Sequence, residues 1–292
     1  MIISVASGKG GTGKTTIAVN LALALAKGKE KNMQFLDCDV EEPNAHLFLK
    51  PVITNSESVE IPVPKINDKK CNYCGKCAEV CVFNAIAVTK NKVLVFPGLC
   101  HGCGACTLFC PEKAITEEGN EVGVLEEGKA GSINFTHGRL NIGEPMAPPI
   151  IRKIKEKIEK DRNKEINIIT DNNITLIDAP PGTSCPVIES IKDSYYTILV
   201  TEPTPFGLHD LILAVEVLRK LKIPHGVVLN KCDIGDHKVE EYCKKNDIPL
   251  LLSIPLDREI AVAYSKGIPI VKINPSYEQK FIQLFQKITQ II

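Results

Sequence analysis

Two groups of residues carry chemistry by their type and spacing. The first is Gly8-Lys9-Gly10-Gly11-Thr12-Gly13-Lys14-Thr15, which fits GxxxxGK[ST]. Its glycines let backbone N–H groups wrap a phosphate, and the helix that follows adds its positive end. Lys14 is placed to neutralise β- and γ-phosphates. The Thr15 hydroxyl is placed to ligate Mg²⁺, with Thr16 closing the cradle. The second group is eight cysteines between Cys71 and Cys110, arranged twice as CxxCxxCxxxC. Three cysteines spaced three apart wrap one face of a [4Fe–4S] cube, and the fourth points away to the other cube. That rule assigns Cys71, Cys74, Cys77 and Cys110 to one cluster. Cys81, Cys100, Cys103 and Cys106 take the second.

The two cysteine runs are imperfect copies, Lys70–Val88 and Leu99–Thr116. Pro111 follows the second run as in two-cluster ferredoxins, whereas Val82 follows the first. A four-thiolate zinc site would want two CxxC units with a longer gap. Two complete cubes point to electron transfer, with a redox-inert interaction knob as the alternative. Lys69, Lys70, Lys76, Glu79 and Lys113 are candidates for a docking surface, against the default of a solvated one.

The elements that position these groups are legible in outline. IISVA precedes the glycine loop and a helical stretch follows from Thr15, then the apolar run MQFLDCD. After Ile174, short apolar runs (ITLIDAP, TILVTEP, HGVVLNK, LLLSIP) alternate with helical patterns near 184–192, 205–220, 237–246 and 257–266. This predicts an α/β fold, a mostly parallel sheet with helices on both faces and functional groups at the strands' carboxyl ends. The expected division is an ATPase domain of residues 1–56 plus 123–292, with an inserted α+β two-cluster ferredoxin domain at 57–122. IPVPKIN reads as the linker into the insert. Residues 123–146 read as a strand pair with loops, and the charged run 150–165 as a solvated helix face.

Further carboxylates follow the strands. Asp37 and Asp39 end the second strand, and their i, i+2 spacing places both toward a bound nucleotide; capping of the following loop is the alternative. Asp178 ends ITLIDAP, where a Mg²⁺ partner sits. Asn230-Lys231-Cys232-Asp233 fits NKxD, a base-recognition pattern that leaves adenine and guanine open. Cys38, Cys232 and Cys243 lie in apolar or helical contexts and read as packing. With 292 residues, 44% of them hydrophobic, the chain can bury a large core. Thirty-five basic residues balance thirty-five acidic ones, so no nucleic-acid partner is expected. No apolar run reaches a membrane span of about 18–20 residues. The N-terminus has no charged region or cleavage site. A cytoplasmic location follows as an expectation. The apolar periodicity of YEQKFIQLFQKITQII reads as packing onto the sheet rather than as a membrane helix.

With Lys9 as a second lysine in KGGTGKT, the chain resembles the P-loop ATPases with a deviant Walker A motif. These include the septum-site ATPase MinD, the partition ATPases, the Mrp-type cluster carriers and the nitrogenase iron protein. The resemblance covers nearly all the chain outside the insert. It implies an ATP-dependent dimer, of identical copies or with a paralogue, in which Lys9 reaches the partner's nucleotide. It also implies that Asp39 positions the attacking water, that Pro180-Pro181-Gly182 belongs to a switch segment and that Asn230 contacts adenine. Ile254–Arg258 resembles the family's late base-side loop. Cys185 lies at a spacing similar to that of a cluster-ligating cysteine in the nitrogenase iron protein. One thiolate per subunit falls short of an all-thiolate bridging site, so Cys185 is expected as a transient metal or cluster contact. The reading that results is an ATPase coupling hydrolysis to electron transfer through two [4Fe–4S] clusters to a redox partner. Its alternatives are an Fe–S or metal cluster scaffold serving a cluster-accepting partner, and a MinD-like positional switch.

Overall fold

The computed structural model describes residues 1–27, 32–164 and 173–291. Eleven strands are found among them: β1 (Ile2–Ser7), β2 (Asn32–Asp37), β3 (Val52–Ile66), β4 (Ile86–Val88), β5 (Val93–Val95), β6 (Ile115–Ala130), β7 (Ile133–Leu140), β8 (Asn173–Pro181), β9 (Tyr196–Thr201), β10 (His225–Asn230) and β11 (Leu250–Ile254). Nine form one sheet in the order β11-β10-β9-β1-β8-β2-β7-β6-β3. Every pairing from β11 to β7 is parallel, whereas β6 and β3 add on antiparallel.

Period-two alternation sends successive side chains to opposite helix layers. On one face, Met33 and Phe35 of β2 meet α1 (Lys14–Ala26), α2 (Ala45–Leu49), α10 (Ile270–Ile273) and α11 (Ser276–Ile291). Helix α1 is apolar on nearly all sides because it lies between the sheet and α11. Tyr277, Phe281, Leu284, Phe285 and Ile288 of α11 are buried in that core, so its apolar stripe is spent on packing; Ile292 lies outside the described residues. On the other face, Leu36 meets α5 (Pro148–Lys164), while α6 (Cys185–Ile191), α7 (Pro205–Leu221) and α8 (Lys238–Lys245) cover β1 and β8 to β10. Helix α5 is amphipathic rather than a simple solvated rod. Ile150, Ile151, Ile154 and Ile158 are buried, and Lys155 is drawn inward to Asp193 at 2.6 Å. Residue 165 of that charged run lies outside the described residues.

The cysteine segment stands at the tip of a long β3–β6 hairpin. IPVPKIN is not a linker: Ile61 to Ile66 form the outer part of β3. Pro62 and Pro64 are tolerated because β3 is the sheet's edge, where a missing N–H breaks no ladder bond. The expected boundaries 57 and 122 fall inside β3 and β6, in a ladder that pairs residues 52–66 with 115–129. Beyond it the two cysteine runs repeat each other's backbone. Left-handed residues Tyr73, Gly75 and Asn84 recur as Gly102, Gly104 and Lys113. Short helix α3 (Lys76–Glu79) recurs as α4 (Ala105–Leu108). Ile86 of β4 faces Val95 of β5, and the equivalent pair, Ile115 and Ile66, closes the hairpin itself. The outermost residues of β3 and β6 therefore belong to both the large sheet and the repeat.

Candidate functional site

The loop between β1 and α1 sits at the carboxyl edge of the central strand, where the chain switches sides of the sheet. Gly13 caps α1 with φ +93°, and a Cβ there would come 2.5 Å from the Asn230 amide nitrogen. Gly8 allows close approach to α7, since its Cβ would meet the Asp210 carbonyl oxygen at 2.3 Å. Asn230 donates from Nδ2 to the Thr12 carbonyl at 2.8 Å, so β10 holds the loop in shape.

Lys14 and Thr15 converge on Asp178. The Lys14 ammonium lies 2.9 Å from Asp178 and 3.4 Å from Asp39. Thr15 donates to the other Asp178 oxygen at 2.5 Å. Burial works against the charge on Lys14, but Asp178, Asp39 and Asp37 outweigh it and hold its pKa above the ordinary lysine value. The hydroxyl of Thr15 lines the cleft floor and the fully buried carboxylate of Asp178 lies directly behind it, an oxygen pair that fits Mg²⁺. Burial raises the Asp39 carboxyl, with Lys14 opposing the shift.

Asp37 is not among the residues that line the cleft. It is fully buried, and its oxygens accept the Asp39 and Ala45 N–H groups, each at 3.1 Å. Burial, reinforced by Asp178, pushes its carboxyl up to about 8. The i, i+2 spacing fails as a guide here because Asp39 lies beyond the end of β2, where strand alternation no longer applies.

Above the floor opens a cleft of about 400 Å³ lined by Gly10, Gly11, Gly13, Lys14, Thr15, Thr16, Asp39 and Asn230. The Ile254–Asp257 loop and Tyr264 of α9 (Arg258–Ser265) form its far wall. Asp233 accepts the Leu256 N–H at 2.6 Å, tying NKCD to that loop. Lys9 points to Glu202 at 3.8 Å, and Glu202 pairs with Lys231 at 2.6 Å. Sequence reasoning missed Glu202. Its signal was a carboxylate directly after the apolar run TILVT, the same placement that marked Asp178.

The eight cysteines surround two cavities. Cys71, Cys74, Cys77 and Cys110 line one, while Cys81, Cys100, Cys103 and Cys106 line the other. Backbone N–H groups are directed at the crossing sulfurs: Ala85 donates to Cys81 and Ala114 to Cys110, each at 3.3 Å. Among the described residues, no three metal-ligating side chains converge on a single ion. Four sulfurs ringing a cavity, with N–H donors to sulfur, fit a cube-shaped cluster. Burial raises the free thiols of Cys77 and Cys106. Elsewhere, Cys38 and Cys243 are buried, Cys232 is half-buried, and Cys185 is exposed at the first turn of α6.

The sequence matches the CobQ/CobB/MinD/ParA nucleotide binding domain over residues 3–270. The chain belongs to this family. It is a nucleotide-binding ATPase with the MinD-type α/β fold. An uncharacterized protein of Methanocaldococcus jannaschii is 33% identical over 281 residues, covering 94% of this chain and 93% of that protein. The iron-sulfur cluster carrier protein of Pyrococcus abyssi is 25% identical over 310 residues, covering 98% and 84%. Among solved structures, the septum site-determining protein MinD of Pyrococcus horikoshii, complexed with Mg-ADP, superposes with a TM-score of 0.61. That match is at 22% identity and covers 99% of this chain and 96% of the other.

Proposed function

We propose that ATP binding and hydrolysis, at an interface between two copies or with a paralogue, control electron transfer through two [4Fe–4S] clusters to a partner protein. At the cleft, Lys14 holds the β- and γ-phosphates. Thr15 and Asp178 hold Mg²⁺, which neutralises phosphate charge when bound. Asp39 orients the attacking water, Asn230 faces the base, and Lys9, on leaving Glu202, reaches the partner copy's nucleotide. In the module, two groups of four cysteines hold the clusters, which supply one-electron transfer when bound.

One observation carries the coupling. Val40, next to Asp39, accepts the Leu140 N–H of β7 at 2.8 Å, and Asn141 donates to Val122 of β6 at 2.9 Å. β6 continues as one strand into the cysteine module, with a register shift against β3 at Val122. A shift of the Asp39 segment on hydrolysis therefore has a short, hydrogen-bonded route to the sulfurs, packed beneath by Ile150 and Ile154 of α5.

Cluster carriage is the second reading. It is favoured by the Pyrococcus abyssi relative's name and by the exposed Cys185, a transient contact for cargo beside the Pro180-Pro181-Gly182 segment. Anaerobic purification with iron, sulfide and ATPase assays separates the two. About eight irons and an ATPase rate that differs between dithionite-reduced and oxidised protein support gated electron transfer. About eight firmly held irons with equal rates, plus further iron that a chelator removes, supports carriage instead.

A further inference from the structure

The NKxD run ends in a carboxylate that does not face the cleft. A carboxylate accepts hydrogen bonds only, so reading guanine requires it to face the base and take the ring N–H and the exocyclic amine. Here Asn230 and Lys231 line the cleft and Asp233 does not. The chain turns at Lys231, whose φ is +54°. Beyond it the run is tied to the loop after β11. The Cys232 N–H donates to the Ile254 carbonyl at 3.0 Å, and Asp233 accepts the Leu256 N–H at 2.6 Å.

Those two bonds fix which polar groups the far wall shows. Pro255 and Leu256 both line the cleft. Pro255 has no N–H, and the N–H of Leu256 is spent on Asp233. Their two carbonyls accept no hydrogen bond among the described residues. Asp257 is drawn into the start of α9, where its carboxylate accepts the Glu259 N–H at 2.7 Å. Pro255 and Leu256 therefore offer acceptors and no donor. Asn230 keeps one amide hydrogen beyond its bond to Thr12. N7 is an acceptor in both purines, so that hydrogen suits either. Discrimination falls to the group on C6, an amine donor in adenine and a carbonyl acceptor in guanine.

We infer that Asp233 is a positioning residue for base selection. By holding the Leu256 N–H it keeps this part of the wall free of donors, so the ATPase takes a 6-amino purine and rejects a 6-oxo purine. The inference rests on the reading above in which Asn230 faces the base. A guanine carbonyl brought to this wall gives up water and meets only carbonyl oxygens, which costs affinity. An adenine amine meets an acceptor at the same place. Asp233 acts as a hydrogen-bond acceptor rather than as a charge, so the carbonyl oxygen of an asparagine serves equally.

The test is steady-state hydrolysis of Mg-ATP and Mg-GTP by the whole anaerobically purified protein. Tripolyphosphate serves as an inhibitor that engages the phosphate loop without a base. The wild type is expected to favour ATP by about tenfold or more in kcat/KM. Asp233→Ala frees the Leu256 N–H and should cut that preference on the order of tenfold. The change should come from a higher KM for ATP and a lower KM for GTP, with tripolyphosphate inhibition unchanged. Asp233→Asn should keep the wild-type preference. An unchanged preference in Asp233→Ala, or the same loss in both variants, overturns the inference while leaving the base reading intact. So does weaker tripolyphosphate inhibition of Asp233→Ala, which marks a general loosening of the site. A wild type that hydrolyses ATP and GTP equally well removes the base reading too.

Discussion

The nucleotide cleft and the cysteine module reach their chemistry by opposite routes. Lys14 opens α1 behind β1, Asp39 follows β2, Asp178 lies within β8 and Asn230 ends β10, and the bond between Asn230 and Thr12 spans 218 positions. The cleft exists only because a parallel sheet brings those ends to one edge. The module gathers its eight cysteines within residues 71–110, through two copies of one tight loop. Long-range register positions the first site, and local spacing positions the second. The β3–β6 ladder is where the two designs share backbone.

The sharpest way to break this comparison is to disable one site and assay the other. Lys14→Ala removes the charge proposed to meet the phosphates, and a loss of about 10²–10³-fold in kcat is expected. Iron content should stay near that of the wild type. Steady-state ATPase and iron assays on one preparation check both. Conversely, Cys81→Ser should strip the site it shares with Cys100, Cys103 and Cys106, not the one built from its neighbours in sequence. Iron should fall from about eight to about four per chain, and ATP binding should hold. Residual resonance from the Cys81/Cys100/Cys103/Cys106 site would break the crossed assignment.

Smaller changes refine the cleft. Asn230→Ala loses the bond that braces the loop at Thr12. A net hydrogen bond is worth about 1 kcal/mol, so the KM for ATP should rise by several-fold with kcat less affected. Asp37→Asn probes the buried carboxyl through pH. The wild-type group is raised from an ordinary value near 4 to about 8. Its stabilising contribution is therefore complete below pH 4 and lost as pH rises through the folded-state pKa. Thermal melts of nucleotide-free protein from pH 4 to 8 should show the wild type losing ground steadily to the variant. A pH-independent gap would mean that Asp37 is ionised throughout.

What was legible in the sequence follows the same division. The glycine loop and the cysteines could be read because their spacing is their geometry. The alternation of strands and helices gave the parallel sheet, since doubly covered strands must be apolar on both faces. Asp37 takes the loop-capping alternative, accepting the Asp39 and Ala45 N–H groups, because the pairing of i and i+2 ends with the strand. IPVPKIN looked like a linker because proline usually breaks strands, and its edge position is known only once β3 is placed. Glu202 carries no motif, and its tie to Lys9 and Lys231 exists only after β9 and β10 lie side by side.

The central claim is that nucleotide state reaches the cysteine module through β6. The most direct test measures the module's two reduction steps with saturating Mg-ADP and again with a non-hydrolysable Mg-ATP analogue. Coupling between binding equilibria is reciprocal, so the account predicts that at least one step shifts between the two nucleotides. Identical steps in both, in protein with both clusters present, would contradict it.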